Sequence, residues 1–151
     1  MSVIIQGSQQ RDINYGVRVR KAALALSAAT LPAFTVTGGE VVITSIHLKV
    51  TTSITTDGGT VAVNNVPTAG STNVLVTATD LGTTDTVVGS VVGLDRGTTA
   101  APSFLRGGRV DLSAVATTGV LNIVGAAAVN GAVDVVITYI PLTNGAAVVA
   151  A

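Results

Sequence analysis

The feature that most constrains this chain is a strict period-two alternation of side chains from Glu40 to Ile54. Val42, Thr44, Ile46, Leu48 and Val50 fall on one side, and Ile43, Ser45, His47, Lys49 and Thr51 on the other. An α-helix would return its apolar residues every three or four positions, whereas a pleated strand sends successive side chains to opposite faces. One mostly apolar and one mostly polar face is the pattern of a strand with a single side on a core. Val, Ile and Thr dominate the segment, and branching at Cβ suits the pleat. The same texture recurs at Thr60–Val63, Thr72–Thr79, Thr86–Leu94, Arg109–Leu112, Val120–Val124 and Val133–Ile140, with Thr35–Thr37 leading into the long strand.

Turn chemistry separates these runs: Gly38-Gly39, Asp57-Gly58-Gly59, Pro67 to Gly70, Asp80 to Asp85, Gly107-Gly108 and Asn130-Gly131. Asp-Gly and Asn-Gly pairs supply the positive φ that tight hairpins require. Many short strands with Gly-rich turns predict an all-β fold over residues 34–151, an antiparallel β-sandwich of jelly-roll-like form. The pattern leaves strand order open. Tyr139 runs in step with Val133, Val135 and Ile137, so it is expected on the core face with its hydroxyl at an edge.

Residues 1–33 read differently. Arg11, Arg18, Arg20 and Lys21 stand there against Asp12 alone, while the rest of the chain carries the compensating negative excess. Gln6 to Gln10 is polar without a pattern. Tyr15 to Lys21 alternates, with Val17 and Val19 opposite Arg18 and Arg20. The segment is expected to be an extended N-terminal arm ending in a short amphipathic strand, pairing either with a neighbouring copy's sheet edge or with its own sheet. Deleting 1–21 should then weaken partner binding and leave the β-domain folded. Lys21 to Ala29 fits a helix or a loop, although Leu24 and Leu26 suit a strand as well. The basic stretch before Ala22–Ala29 has the outline of a leader peptide, but it starts too far from Met1 and its apolar part is too short.

Composition narrows the class. The chain has 151 residues, the size of one domain. Only 11% of them are charged and the formal net charge is zero, against about 25% charged in ordinary soluble domains. Such a surface favours association, so a subunit that covers area against copies or partners is expected. No run of eighteen apolar residues is present to make a spanning helix, and the abundance of Val, Ile and Leu argues against disorder. The absence of cysteine removes disulfides, thiolate zinc sites and thiol catalysis.

The catalytic inventory is nearly empty. His47 is the single histidine, placed mid-strand on the polar face, and reads as a surface or subunit-contact residue. No G-x-S-x-G elbow accompanies it, and one imidazole cannot build a His-rich metal site. Asp80 and Asp85 fit turn capping better than an acid–base pair, and their spacing does not match an EF-hand loop. Phosphate-loop signatures are missing. No enzyme, no metal and no cofactor is expected. Arg106-Gly107-Gly108-Arg109 is a short basic cluster; nucleic-acid binding would demand more charge and stacking aromatics, so its arginines read either as solvated turn residues or as a contact for an acidic protein surface.

Two stretches carry a resemblance. Phe34-Thr-Val-Thr-Gly-Gly-Glu-Val-Val-Ile-Thr-Ser-Ile46 continues to Val50-Thr-Thr52, and Val135-Val-Ile-Thr-Tyr-Ile-Pro-Leu142 is followed by Gly145-Ala-Ala-Val148. Together they resemble a family of small structural proteins of tailed bacteriophages encoded among head genes. The match covers about 34–52 and 133–148 and leaves the N-terminal arm uncovered. The resemblance implies a virion component on the capsid exterior, a decoration (cement) protein that binds the major capsid protein and copies of itself, as a trimer ahead of a dimer, and touches neither nucleic acid nor membrane. It supplies no catalytic residues. Arg18, Arg20, Lys21, Arg106 and Arg109 are the candidate capsid or subunit contacts. Avidity across many copies would make individually weak contacts count. The competing expectations are a tail, fibre or host-adsorption module of the virion, a secreted β-sandwich and, last, an enzyme.

Overall fold

The computed structural model describes residues 6–55, 59–81, 86–95, 102–108 and 111–151. They form one short helix, α1 (Gly7–Tyr15), and eleven strands: β1 (Val17–Ala25), β2 (Thr30–Thr37), β3 (Val41–Thr52), β4 (Thr60–Pro67), β5 (Asn73–Asp80), β6 (Val91–Asp95), β7 (Ser103–Arg106), β8 (Asp111–Ala116), β9 (Gly119–Ala126), β10 (Ala132–Pro141) and β11 (Ala147–Ala150). The all-β expectation holds.

The strands hydrogen-bond in the order β1-β10-β3-β6-β7-β5-β4-β9-β2-β11, with β8 also on β3. Every pairing is antiparallel except β5 with β7, which meet only at Thr77 and Ser103. The two ends of this path approach each other, where Lys21 Nζ on β1 donates to the Ala151 carbonyl oxygen just past β11. The sheet is therefore nearly closed. Closure covers edges that would otherwise present unpaired backbone groups.

The core lies inside this curl. Val36, Val41, Leu48, Val50, Val61, Val76, Val133 and Val135 have at most 1% of their surface exposed. Leu94 and Phe104 pair directly across β6 and β7, both buried. A void of about 10 Å³ among the described residues is walled by apolar side chains, Phe34, Ile46 and Leu121 among them. Tyr139 is 5% exposed on the same face as Val133, Val135 and Ile137, as its spacing predicts.

The alternation read along Glu40–Ile54 is interrupted once. Opposite β10, Ile43 pairs with Tyr139 and Ser45 with Thr138, which leaves Thr44 as an extra residue. The pairing with β8 skips at the same place. Before this bulge Val41 and Ile43 face the core; after it Ile46, Leu48 and Val50 do. One extra residue inverts the phase of a strand, so the assignment of Val42 to the core face and Ile43 to the polar face is corrected. Thr44 Oγ1 fixes the bulge by donating to the Thr138 carbonyl at 3.1 Å.

The N-terminal segment is not an extended arm. Residues 7–15 are helical, and the Gln6 N–H donates to Gln9 Oε1 at 2.9 Å across the first turn. Residues 17–25 form β1, which pairs with the chain's own β10 from Val17–Tyr139 to Ala25–Ala132. The helix-or-loop expectation for Lys21–Ala29 gives way to a strand as far as Ala25. The sheet domain thus begins before residue 34, at Val17. Gly16 makes the corner: its φ is +84°, and a Cβ there would lie 2.6 Å from the Tyr139 carbonyl oxygen. Deleting 1–21 would remove more than half of a sheet strand, so the separable piece ends at Tyr15.

Among the described residues no helix is long and apolar enough to cross a membrane, which says nothing of a β-barrel span.

Candidate functional site

The outward face of β1, β10 and β3 brings Arg18, Arg20, Lys49 and Asp134 together. Cross-strand register aligns Arg18 with Thr138 and Ser45, Arg20 with Val136 and His47, and Asp134 with Lys49. Side chains directly opposite on one face lie about 5 Å apart at Cβ. Arg18, Arg20, His47, Lys49, Asp134 and Val136 enclose a cleft of about 170 Å³.

Asp134 is the anchor at its floor, only 4% exposed although it points away from the core. Its Oδ2 accepts from the Arg20 guanidinium at 2.7 Å and its Oδ1 from the Ala23 N–H at 2.9 Å. The Ala23 N–H first, then Arg20 and Lys49, hold its carboxyl below the ordinary range against the opposing effect of burial. The Ala23 contact has a local cause. The β1–β10 register slips between Lys21 and Leu24, and Ala23 takes a left-handed φ of +49°. That conformation costs a non-glycine residue roughly 1–2 kcal/mol, and the Asp134 carboxylate offsets it by accepting the N–H that the bulge frees.

His47 is half-buried, and its Nδ1 is enclosed without a hydrogen-bond partner. Burial, and then the positive charge of Arg18, push its imidazole below the ordinary value. Among the described residues the Arg20–Asp134 pair is the sole salt bridge, so Arg18 and Lys49 have no carboxylate partner. The cleft therefore presents two cations without a salt bridge, an imidazole whose charged form is disfavoured, and one satisfied ion pair. A carboxylate already taken by a guanidinium and a backbone donor is unsuited to act as a base. No cluster of metal-ligating side chains occurs among the described residues, and the net positive charge of the cleft disfavours a cation.

The sequence-derived contact residues part company here. Arg18 and Arg20 sit together in the cleft. Lys21, one residue on, points to the other side of β1, toward Ala151. Arg106 ends β7, opposite Val92, four strands from β1 in the sheet order, or roughly 19 Å at the usual spacing. Arg109 lies outside the described residues, as do Asp57 and Asp85. Asp80 ends β5 opposite Thr60. Sequence reasoning did not group His47, Lys49 and Asp134 with the arginines. The one available signal was a lone charge at Asp134 inside the apolar run Val133–Ile140.

Beyond the cleft the same outward face turns apolar. Ile140, Val42 and Val115 line up across β10, β3 and β8, with Ile140 and Val115 41% and 50% exposed.

No protein-family model matches the chain, and neither a curated protein nor a solved structure matches it.

Proposed function

We propose that the chain is a structural subunit of a bacteriophage virion, a capsid decoration (cement) protein that binds the major capsid protein on the outside of the head. The observation that carries this reading is the pairing of the two stretches that resemble phage head proteins. They lie far apart in sequence, yet 34–52 supplies much of β2 and all of β3, 133–148 supplies most of β10 and the start of β11, and the pairs are β3 with β10 and β2 with β11. The resemblance thus falls on two strand pairs whose connecting corners meet, where the Leu142 and Thr143 N–H groups donate to the Glu40 carbonyl oxygen. The thin surface charge adds support, since a net-neutral, charge-poor surface favours association.

The architecture is read as a flattened, jelly-roll-like sandwich. The single β5–β7 link divides the path into two antiparallel halves, and consecutive strands from β1 through β4 and from β9 through β11 cross between them. The cationic cleft and the adjoining Ile140–Val42–Val115 row form the surface offered to an acidic patch of the shell, and copies of the chain associate as a trimer ahead of a dimer. The chain has no catalytic role in this scheme. A protein that binds only the assembled shell stabilises it by mass action.

The test is the copy number and position of the chain in purified particles, by quantitative mass spectrometry and particle imaging. Hundreds of copies on the head surface are expected. A few copies at the tail would replace this reading with an adsorption module, and none would refute a virion role. A chain lacking residues 1–15 separates α1 from the sheet: if it binds shells as well as the full chain, the contact belongs to the sheet face.

A further inference from the structure

We propose that the cleft between β1, β10 and β3 is a binding site for one tetrahedral oxyanion of the sulfate or phosphate class, held by Arg18, Lys49 and His47. The inference stands on the cleft alone and holds whether or not the protein coats a shell.

Three observations carry it. First, the cleft has volume, about 170 Å³, and its walls are cationic. Second, its one carboxylate is spoken for: Asp134 accepts from Arg20 and from the Ala23 N–H, so it leaves Arg18 and Lys49 unpaired. Third, the half-buried His47 lines the same cleft, and burial and Arg18 disfavour its charged form there. Two cations without a salt bridge repel each other and disfavour a charged His47, and an oxyanion in the cleft relieves that repulsion through charge-assisted hydrogen bonds to Arg18 and Lys49. The donors come from β1 and from two positions on β3, so they approach from different directions. That suits a tetrahedral anion better than a planar carboxylate, which a single guanidinium grips in one plane.

The site is coupled to pH through His47. The charged groups around it are Arg18 and Arg20 on β1, Asp134 on β10, Lys49 on its own strand, and Asp111 on β8, which sits opposite Ser45. The stretch of β6 that pairs with β3 next to His47 contributes only Val91 and Val92. In the free cleft the imidazole is disfavoured as a cation by burial and by Arg18. A bound dianion reverses the sign of the local field and favours imidazolium. Binding then takes up a proton, and affinity rises as pH falls below about 6.5, the ordinary histidine value.

The experiment is a sulfate titration of the full chain followed by amide and imidazole NMR, at about pH 7.5 and about pH 5.5; sulfate stays a dianion across the range where histidine titrates. Saturable shifts at Arg18, His47 and Lys49 are expected, with sulfate binding tighter at the lower pH by up to about tenfold for each unit by which it raises the His47 pKa. Arg18→Gln with Lys49→Gln should abolish the shifts. Both side chains lie on the outward face, and the amide spectrum reports whether the fold survives. Arg11→Gln, on α1, should leave binding unchanged. His47→Gln should keep binding at the higher pH and lose the gain at the lower. Acetate at matched ionic strength should bind more weakly. Absent saturation, equal binding in the double variant, or no pH dependence in the wild-type chain would each overturn the site.

Discussion

Between Val133 and Ile137 the two faces of β10 are buried to nearly the same degree by opposite means. Inward, Val133, Val135, Ile137 and Tyr139 are 5% exposed or less because the other half of the curled sheet packs against them. Outward, Asp134 and Val136 are 4% and 3% exposed because long cationic side chains from β1 and β3 surround them. The inner face is held by apolar contact, which is non-directional and tolerates modest change in shape. The outer face is held by two directed hydrogen bonds to one carboxylate, which fail together if that group is lost. The comparison teaches that low exposure on this strand does not by itself mark core. One face stores stability, and the other arranges charge.

The largest expected effect breaks the inner face. Ile137→Ala should destabilise the fold by about 2–5 kcal/mol, the usual cost of a truncated core side chain with its cavity, read from chemical denaturation. Asp134→Ala breaks the outer face and should cost about 1.5–3 kcal/mol, the range for hydrogen bonds to a charged group. It should also release amide exchange protection around Ala23 and leave that of Ile137 and Tyr139 in place. If the protection of both faces falls together, the two are not separate supports.

Acidification sharpens the contrast because only the outer face titrates. Both of its shifted groups are depressed in the fold, so the unfolded chain binds more protons and stability rises with pH across each window. The histidine contribution is full above its unfolded value and falls away as pH drops below 6.5. The Asp134 contribution is lost lower, as pH falls below 3.8 and through the depressed folded value. Denaturation midpoints against pH should therefore show two steps, and His47→Gln should erase the upper one alone. The smallest effect is Ala23→Gly. Relief of the left-handed strain should outweigh the added chain entropy and raise stability by at most about 1 kcal/mol, visible as a small upward shift in Tm.

Much of the β architecture was legible along the chain. Val, Ile and Thr at period two located most strands, and Gly38 and Gly131, with φ of +73° and +88°, occupy turns that Gly-Gly and Asn-Gly announced. The short β7 and β11 escaped because four residues give too little periodicity. Helix α1 escaped for another reason: its described side chains are exposed, so it has no apolar stripe to betray it. The bulge at Thr44 was hidden because both alternating sets, Val42–Val50 and Ile43–Thr51, are each half apolar near the start. Only the pairing with Tyr139 and Thr138 decides which set turns inward.

For the candidate site, the sequence determined that Arg18 and Arg20 share one side of a strand, that His47 and Lys49 share one side of another, and that Asp134 interrupts an apolar run. Alternation is a local property, fixed by the pleat of each strand alone. Tertiary structure decided that β10 lies between those two strands and in what register. That choice is made by the burial of Val133, Val135 and Ile137 against residues distant along the chain, and it is what brings two arginines, a lysine, a histidine and an aspartate around a single cleft.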